Sequence, residues 1–105
     1  MQTFSDRVVK AALSIPKGRV TTYGRIAKAA GGGSMVAQSI TSILAKADDE
    51  GEKNIPFHRI VYADGRIWVD DRYQKERMRL YKNEGIEIDE KDRVRNFRDK
   101  LFEFE

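Results

Sequence analysis

YGRIAKAAGGGSMVAQSITSILAKA, residues 23–47, is the stretch on which the fold turns. On one side of its glycine run, Tyr23 to Gly31 read as a helix started by a Thr22 cap. Gly31 to Gly33 break that helix, because glycine is too permissive to extend it. A further helix begins after Ser34 and runs through Ala47. Its apolar face is Val36, Ile40, Ile43 and Leu44, while Met35, Ser39 and Ser42 share another side. Two short helices joined by a glycine turn form the helix-turn-helix pattern, although an ordinary packed helix pair shows it too. The polar row of Gln38, Ser39, Thr41 and Ser42 favours a face that enters a groove, since small side chains let a helix sit deep. Of these four, only Gln38 has the reach for base edges or for the space that a base leaves.

Upstream, FSDRVVKAALSI (4–15) sets Phe4, Val8, Ala11 or Ala12 and Ile15 at helical spacing, and Pro16 ends that helix. PKGRVTTYG (16–24) is then a turn and a short extended link. Downstream, ADDEGEKN (47–54) is an acidic loop, and HRIVYADGRIW (58–68) alternates around Asp64-Gly65, a hairpin signal. VDDRYQKERMRLYKNEG (69–85) reads as a helix with Asp70 or Asp71 near its start, Tyr73, Arg77, Leu80 and Tyr81 at helical spacing, and Gly85 just past its end. The expected fold is mainly α: a helix-turn-helix (winged-helix-like) domain with a small β-hairpin over residues 1–88. The tail 89–105 alternates in charge and reads as a further helix or a loosely attached arm.

The 105 residues fit one small domain. No run approaches the ~18 apolar residues of a membrane span, and charges interrupt the only apolar segment near the N-terminus, so neither a span nor a secretory signal is expected. With no cysteine there is no disulfide, no thiolate nucleophile and no thiolate metal site. A cytoplasmic location is expected. The net charge of +3 conceals an asymmetry, because residues 1–46 carry seven Lys or Arg against one acid, and the remainder is net negative. A field of that shape suits a polyanion on one face, or simply keeps a surface solvated.

KNIPFHRIVYADGRIW (53–68) holds His58, the only histidine, so no histidine cluster can bind a metal. No serine sits on a nucleophile elbow. On these residues alone, His58 is a structural hydrogen-bonding group at the entrance of the hairpin. Phe57 and Trp68 are either core aromatics or the border of a cleft that stacks on a flat ligand such as a purine.

Taken in order, IPKGRVTTYGRIAKAAG, AQSITSIL, IPFHRIV, ADGRI and RLYKNEGIEI resemble the DNA-binding domain of the O6-alkylguanine-DNA alkyltransferases. The likeness covers residues 4 to 88 and is strongest to the alkyltransferase-like proteins, which keep that fold without the acceptor cysteine. In the alkyltransferases the third segment carries Pro-Cys-His-Arg; here it is Pro56-Phe57-His58-Arg59. Phenylalanine has no lone pair to attack an alkyl carbon, so transfer is lost. The resemblance implies that Tyr23 turns the nucleotide out near its phosphate, with Gly24 next to it. Gln38, Ser39, Thr41 and Ser42 then lie on a recognition helix in the minor groove, Gln38 standing where an arginine fills the gap left by the base. Phe57 and Trp68 line the alkylated-base pocket. His58, Arg59 and Glu84 are the structural remnant of the transfer site.

The implied function is non-enzymatic binding of O6-alkylguanine in duplex DNA by a monomer, without cofactor or metal, that marks the lesion for nucleotide excision repair proteins. Two alternatives stand beside it. One is a DNA-binding module without damage selectivity; the other is a hydrolase using His58 and Glu84.

Overall fold

A computed structural model of the chain describes residues 3–32, 39–68, 72 and 74–104. Helix α1, Phe4–Leu13, starts from a capping box in which Thr3 Oγ1 accepts from the Asp6 N–H and Asp6 Oδ2 from the Thr3 N–H, both at 3.1 Å. Strand β1, Thr21–Thr22, runs directly into helix α2, Tyr23–Ala29, whose start Thr22 caps by accepting from the Arg25 N–H at 3.2 Å. Gly31, at φ +91°, ends α2 in the left-handed region that glycine adopts without a Cβ clash. Helix α3 is described over Ile40–Asp49, two residues beyond the expected end at Ala47. Its expected first residues, 35–38, lie outside the described part of the chain, and Gln38 with them. The three helices pack on one another through Val8, Ala12, Ile26, Ala27, Ile40 and Leu44, all fully buried. The expected helix-turn-helix class holds.

A 3-10 turn at Phe57–Arg59 leads into strand β2, Ile60–Val61. β2 pairs with β1 in parallel, Thr21 opposite Ile60 and Thr22 opposite Val61. Parallel strands need a long crossover, and α2, α3 and the acidic loop supply it. The expected hairpin is only half there. Its turn forms, with the Gly65 N–H donating to the Tyr62 carbonyl at 2.8 Å and the Tyr62 N–H to the Arg66 carbonyl at 2.9 Å. The returning arm then leaves β2 and joins the tail: the Ile67 N–H donates to the Asp92 carbonyl at 2.8 Å, and the Val94 N–H to the Gly65 carbonyl at 2.9 Å. Local alternation signals a turn, but it carries no information about a partner twenty-five or more residues away.

Helix α4, Gln74–Asn83, closes with a Schellman motif in which the Ile86 N–H donates to the Tyr81 carbonyl at 2.9 Å and the Gly85 N–H to the Lys82 carbonyl at 3.2 Å. Gly85 takes the positive φ of 73° that this motif requires. Tyr81 and Ile86 are buried in a second core with Val20, Val61, Ile67 and Val94. The tail is docked. Val20 exchanges hydrogen bonds with Lys100 (2.9 Å) and Phe102 (2.7 Å), and Thr21 Oγ1 donates to the Phe102 carbonyl at 3.1 Å. Between these contacts and the turn lies a short helix α5, Phe97–Lys100.

Candidate nucleic-acid interface

A cleft of about 950 Å³ lies between α3, the Phe57–Arg59 turn, the chain reversal at 62–68 and α4. The strand register builds one wall. Because Thr22 sits opposite Val61, the next residues, Tyr23 and Tyr62, emerge side by side with ring centroids 6.0 Å apart. Thr41 and Ala45 of α3 continue that wall, and both are exposed. Phe57 is half-buried; part of its ring packs on the three-helix core and part lines the cleft. Across from it, the Arg77 guanidinium lies 5.1 Å over the Trp68 ring, and Trp68 is 39% exposed. Burial raises the Tyr23 hydroxyl pKa, Tyr62 adds to this, and Thr41 and Arg77 oppose it, so the hydroxyl remains a proton donor.

Beneath the cleft is a polar clamp. Glu84 is the residue between the last turn of α4 and Gly85, so the Schellman motif aims its side chain inward. Both of its oxygens are taken: Oε1 accepts from Arg59 Nε (2.9 Å) and the Gly18 N–H (3.1 Å), and Oε2 from Arg59 Nη2 (2.9 Å) and His58 Nε2 (2.6 Å). Arg59 Nη1 reaches on to the Ile15 carbonyl at 3.0 Å. The clamp therefore ties the end of α1, the 3-10 turn and the end of α4. Burial alone would raise the Glu84 carboxyl; the hydrogen bonds from Arg59, His58 and Gly18 outweigh it and hold the pKa at about 2. Burial lowers the His58 pKa, with Glu84 opposing. A neutral His58 facing an ionised carboxylate carries its proton on Nε2, which leaves Nδ1 an acceptor.

Residues 3–86 match the family described as 6-O-methylguanine DNA methyltransferase, DNA binding domain. The chain belongs to this family. Within reach of it, a DNA base-flipping protein of Vibrio parahaemolyticus is 33% identical over 90 residues, covering 86% of this chain and 87% of that protein. Alkyltransferase-like protein 1 of Schizosaccharomyces pombe is 32% identical over 96 residues, 84% of this chain and 81% of the relative. A bifunctional methyltransferase/endonuclease of Picrophilus torridus is 35% identical over 74 residues, and the chain spans only 24% of its length. Among solved structures, S. pombe Atl1 in complex with damaged DNA containing O6-carboxymethylguanine superposes with a TM-score of 0.74 at 23% identity, over 99% of this chain and 100% of that one. That last likeness speaks for the shared fold.

Set on the family fold, Tyr23, Phe57, His58, Trp68 and Thr41 all line the one cleft. Arg59 and Glu84 lie below it in the clamp, Arg59 at 19% and Glu84 at 4% side-chain exposure. Gly24 opens α2 with no atom within 4 Å of where a Cβ would stand, so packing does not demand a glycine there. Ser39, at the N-cap of α3, and Ser42 are exposed but do not line the cleft. Sequence reasoning missed Tyr62, which is 39% exposed beside Tyr23, and passed over Arg77 as a helix-spacing residue. The motif itself named the clamp partners, but nothing local linked Gly18 to them.

Proposed function

We propose that this chain is a non-enzymatic reader of O6-alkylguanine in duplex DNA, turning the modified nucleotide into the cleft and marking it for nucleotide excision repair. The observation that carries the reading is Phe57: at the family's acceptor-cysteine position, an aromatic side chain lines an open cleft above an intact His58–Glu84–Arg59 clamp. In this reading Tyr23 works at the flipped nucleotide's phosphate with Gly24 beside it, and Phe57 and Trp68 stack on the modified base. Gln38, with Ser39, Thr41 and Ser42, fills or borders the gap left in the duplex. Extruding a base costs a few kcal/mol, and less where alkylation has weakened pairing, which supplies part of the selectivity. The names and the DNA complex of the relatives support the ligand class.

The hydrolase alternative is disfavoured by Glu84. A carboxylate with a pKa of about 2 and four hydrogen bonds is a poor general base at neutral pH, and among the described residues its hydrogen-bond partners include no hydroxyl or thiol nucleophile. A DNA-binding module without damage selectivity is the reading that Gln38 favours, since glutamine lacks the charge and planar fork of arginine.

Fluorescence anisotropy at fixed, near-physiological salt separates the two, using one duplex with a single O6-methylguanine and its unmodified twin. Tighter binding of the modified duplex is expected, with Phe57→Ala losing roughly 5- to 150-fold of it, the equivalent of one stacked base. Equal affinity for both duplexes would leave a plain DNA-binding module.

A further inference from the structure

We infer that the outward face of α4 is a second duplex-binding surface, on which another segment of DNA is taken up before the first is released from the cleft. The inference rests on the duplex binding proposed above. Helix α4 carries four bases, Lys75, Arg77, Arg79 and Lys82, against one acid, Glu76. At about 100° per residue, the helix sorts them by face. Glu76, Arg77 and Leu80 line the cleft, and Tyr81 is buried. Lys75, Arg79 and Lys82 stand roughly 140° further round the helix, on a stripe of their own, and all three are exposed.

A solvated helix face ordinarily intersperses acids with its bases, since opposite charges three or four residues apart favour the helix. This stripe holds no acid. Lys75 and Arg79 are four residues apart and Arg79 and Lys82 three, so like charges are neighbours, which disfavours the helix. None of the three forms an ion pair with a described residue. Glu76 faces the cleft and Glu84 is taken up by Arg59, His58 and Gly18. Asp71 stands eight residues before Arg79 and eleven before Lys82 in the sequence. The face is convex and, Met78 apart, offers no apolar group to seat the side chains of a peptide. A row of cations along about 10 Å of helix matches instead the repeated negative charge of a duplex backbone. A duplex whose turned-out nucleotide occupies the cleft meets the other side of α4, and the helix, about 10 Å across, stands between. The stripe is therefore left open to a second segment.

With two faces, the protein passes from one duplex to another through a ternary complex, so its release from the first depends on the concentration of the second. The test loads the protein on a fluorescein-labelled duplex with a single O6-methylguanine. Anisotropy is then followed after mixing with unlabelled, unmodified duplex at rising concentration and fixed salt. The release rate is expected to rise in proportion to the competitor. Lys75→Gln, Arg79→Gln and Lys82→Gln together abolish that rise and leave equilibrium affinity for the labelled duplex nearly unchanged, while Lys75→Arg with Lys82→Arg keeps it. A native release rate that ignores the competitor overturns the inference. So does a triple variant that keeps the rise, or one whose equilibrium affinity falls, which would put the stripe on the first duplex. Polyglutamate replaces the competitor in a parallel arm; release accelerated as strongly by it would assign the stripe to an acidic protein and overturn the duplex. Equal equilibrium affinity for modified and unmodified duplexes overturns the lesion-reading function alone, because transfer is read on either. Thermal melts verify folding; were the triple variant unfolded, Arg79→Gln with Lys82→Gln decides.

Discussion

At the scale of single residues, Glu84 is a structural fixture. Its four contacts join three segments of the chain. Removing one partner of such a buried pair leaves the other uncompensated, so Glu84→Gln is expected to cost about 3–5 kcal/mol, read as a fall in unfolding midpoint. The pH dependence has a defined sign. The folded Glu84 pKa of about 2 lies below the ordinary 4.5, so its stabilisation of about 3 kcal/mol is present above pH 4.5 and lost as pH falls toward 2. His58 is also lowered, from 6.5, so the unfolded chain takes up its proton first and stability is already falling below pH 6.5. Thermal melts from pH 8 to 4 should show that first loss, and His58→Gln should flatten it; an unchanged profile in the variant would remove His58 as its cause.

At the scale of elements, the reversal at 62–67 joins the cleft to the tail. Gly65 holds φ at +89°, and a Cβ there would stand 3.1 Å from Phe97 Cγ on α5. Gly65→Ala therefore combines backbone strain with a clash against a ring, a loss of about 1–3 kcal/mol. Its readout reaches further than stability. Amide exchange should accelerate at Ile67 and Val94, whose N–H groups cross between the reversal and the tail. Protection retained at both amides would mean that Phe97 yields without undocking. The same reversal places Tyr62 and Trp68 on the cleft, so looser docking should also weaken duplex binding.

At the scale of the whole molecule, residues 89–104 complete the second core rather than trail from it. Val94 is buried with Val20, Val61 and Ile67, and the backbone of Val20 is paired to Lys100 and Phe102. A chain ending at Ile88 would expose these groups and leave Val20 and Ile67 amides unpaired. It is expected to lose its cooperative unfolding transition, or to melt more than about 10 °C lower, at roughly 4–8 °C for each kcal/mol lost in a chain of this size. A melt within a few degrees of the intact chain would make residues 1–88 a self-sufficient unit.

Much of this architecture is legible in local chemistry. The Thr22 cap, the left-handed Gly31 and Gly85, the apolar face of α1 and, of the α3 face, Ile40, Ile43 and Leu44 depend on neighbours within a few residues, and each is where its pattern puts it. That the Pro56–Arg59 motif carries phenylalanine and no thiol is read directly from the sequence. Pairing across long separations is another matter, because its energy depends on which distant groups are left over once the cores form. Alternation at 58–68 pointed to a hairpin, and the folded chain gives β2 to β1 and the returning arm to Asp92 and Val94. The same long-range register brings Tyr62 beside Tyr23 and leaves Arg77 against Trp68. Residue types and local spacing determined the helices, their caps and the absence of a thiol from the Pro56–Arg59 motif; only the tertiary structure decided which side chains share the cleft, since that is a property of packing and not of sequence separation.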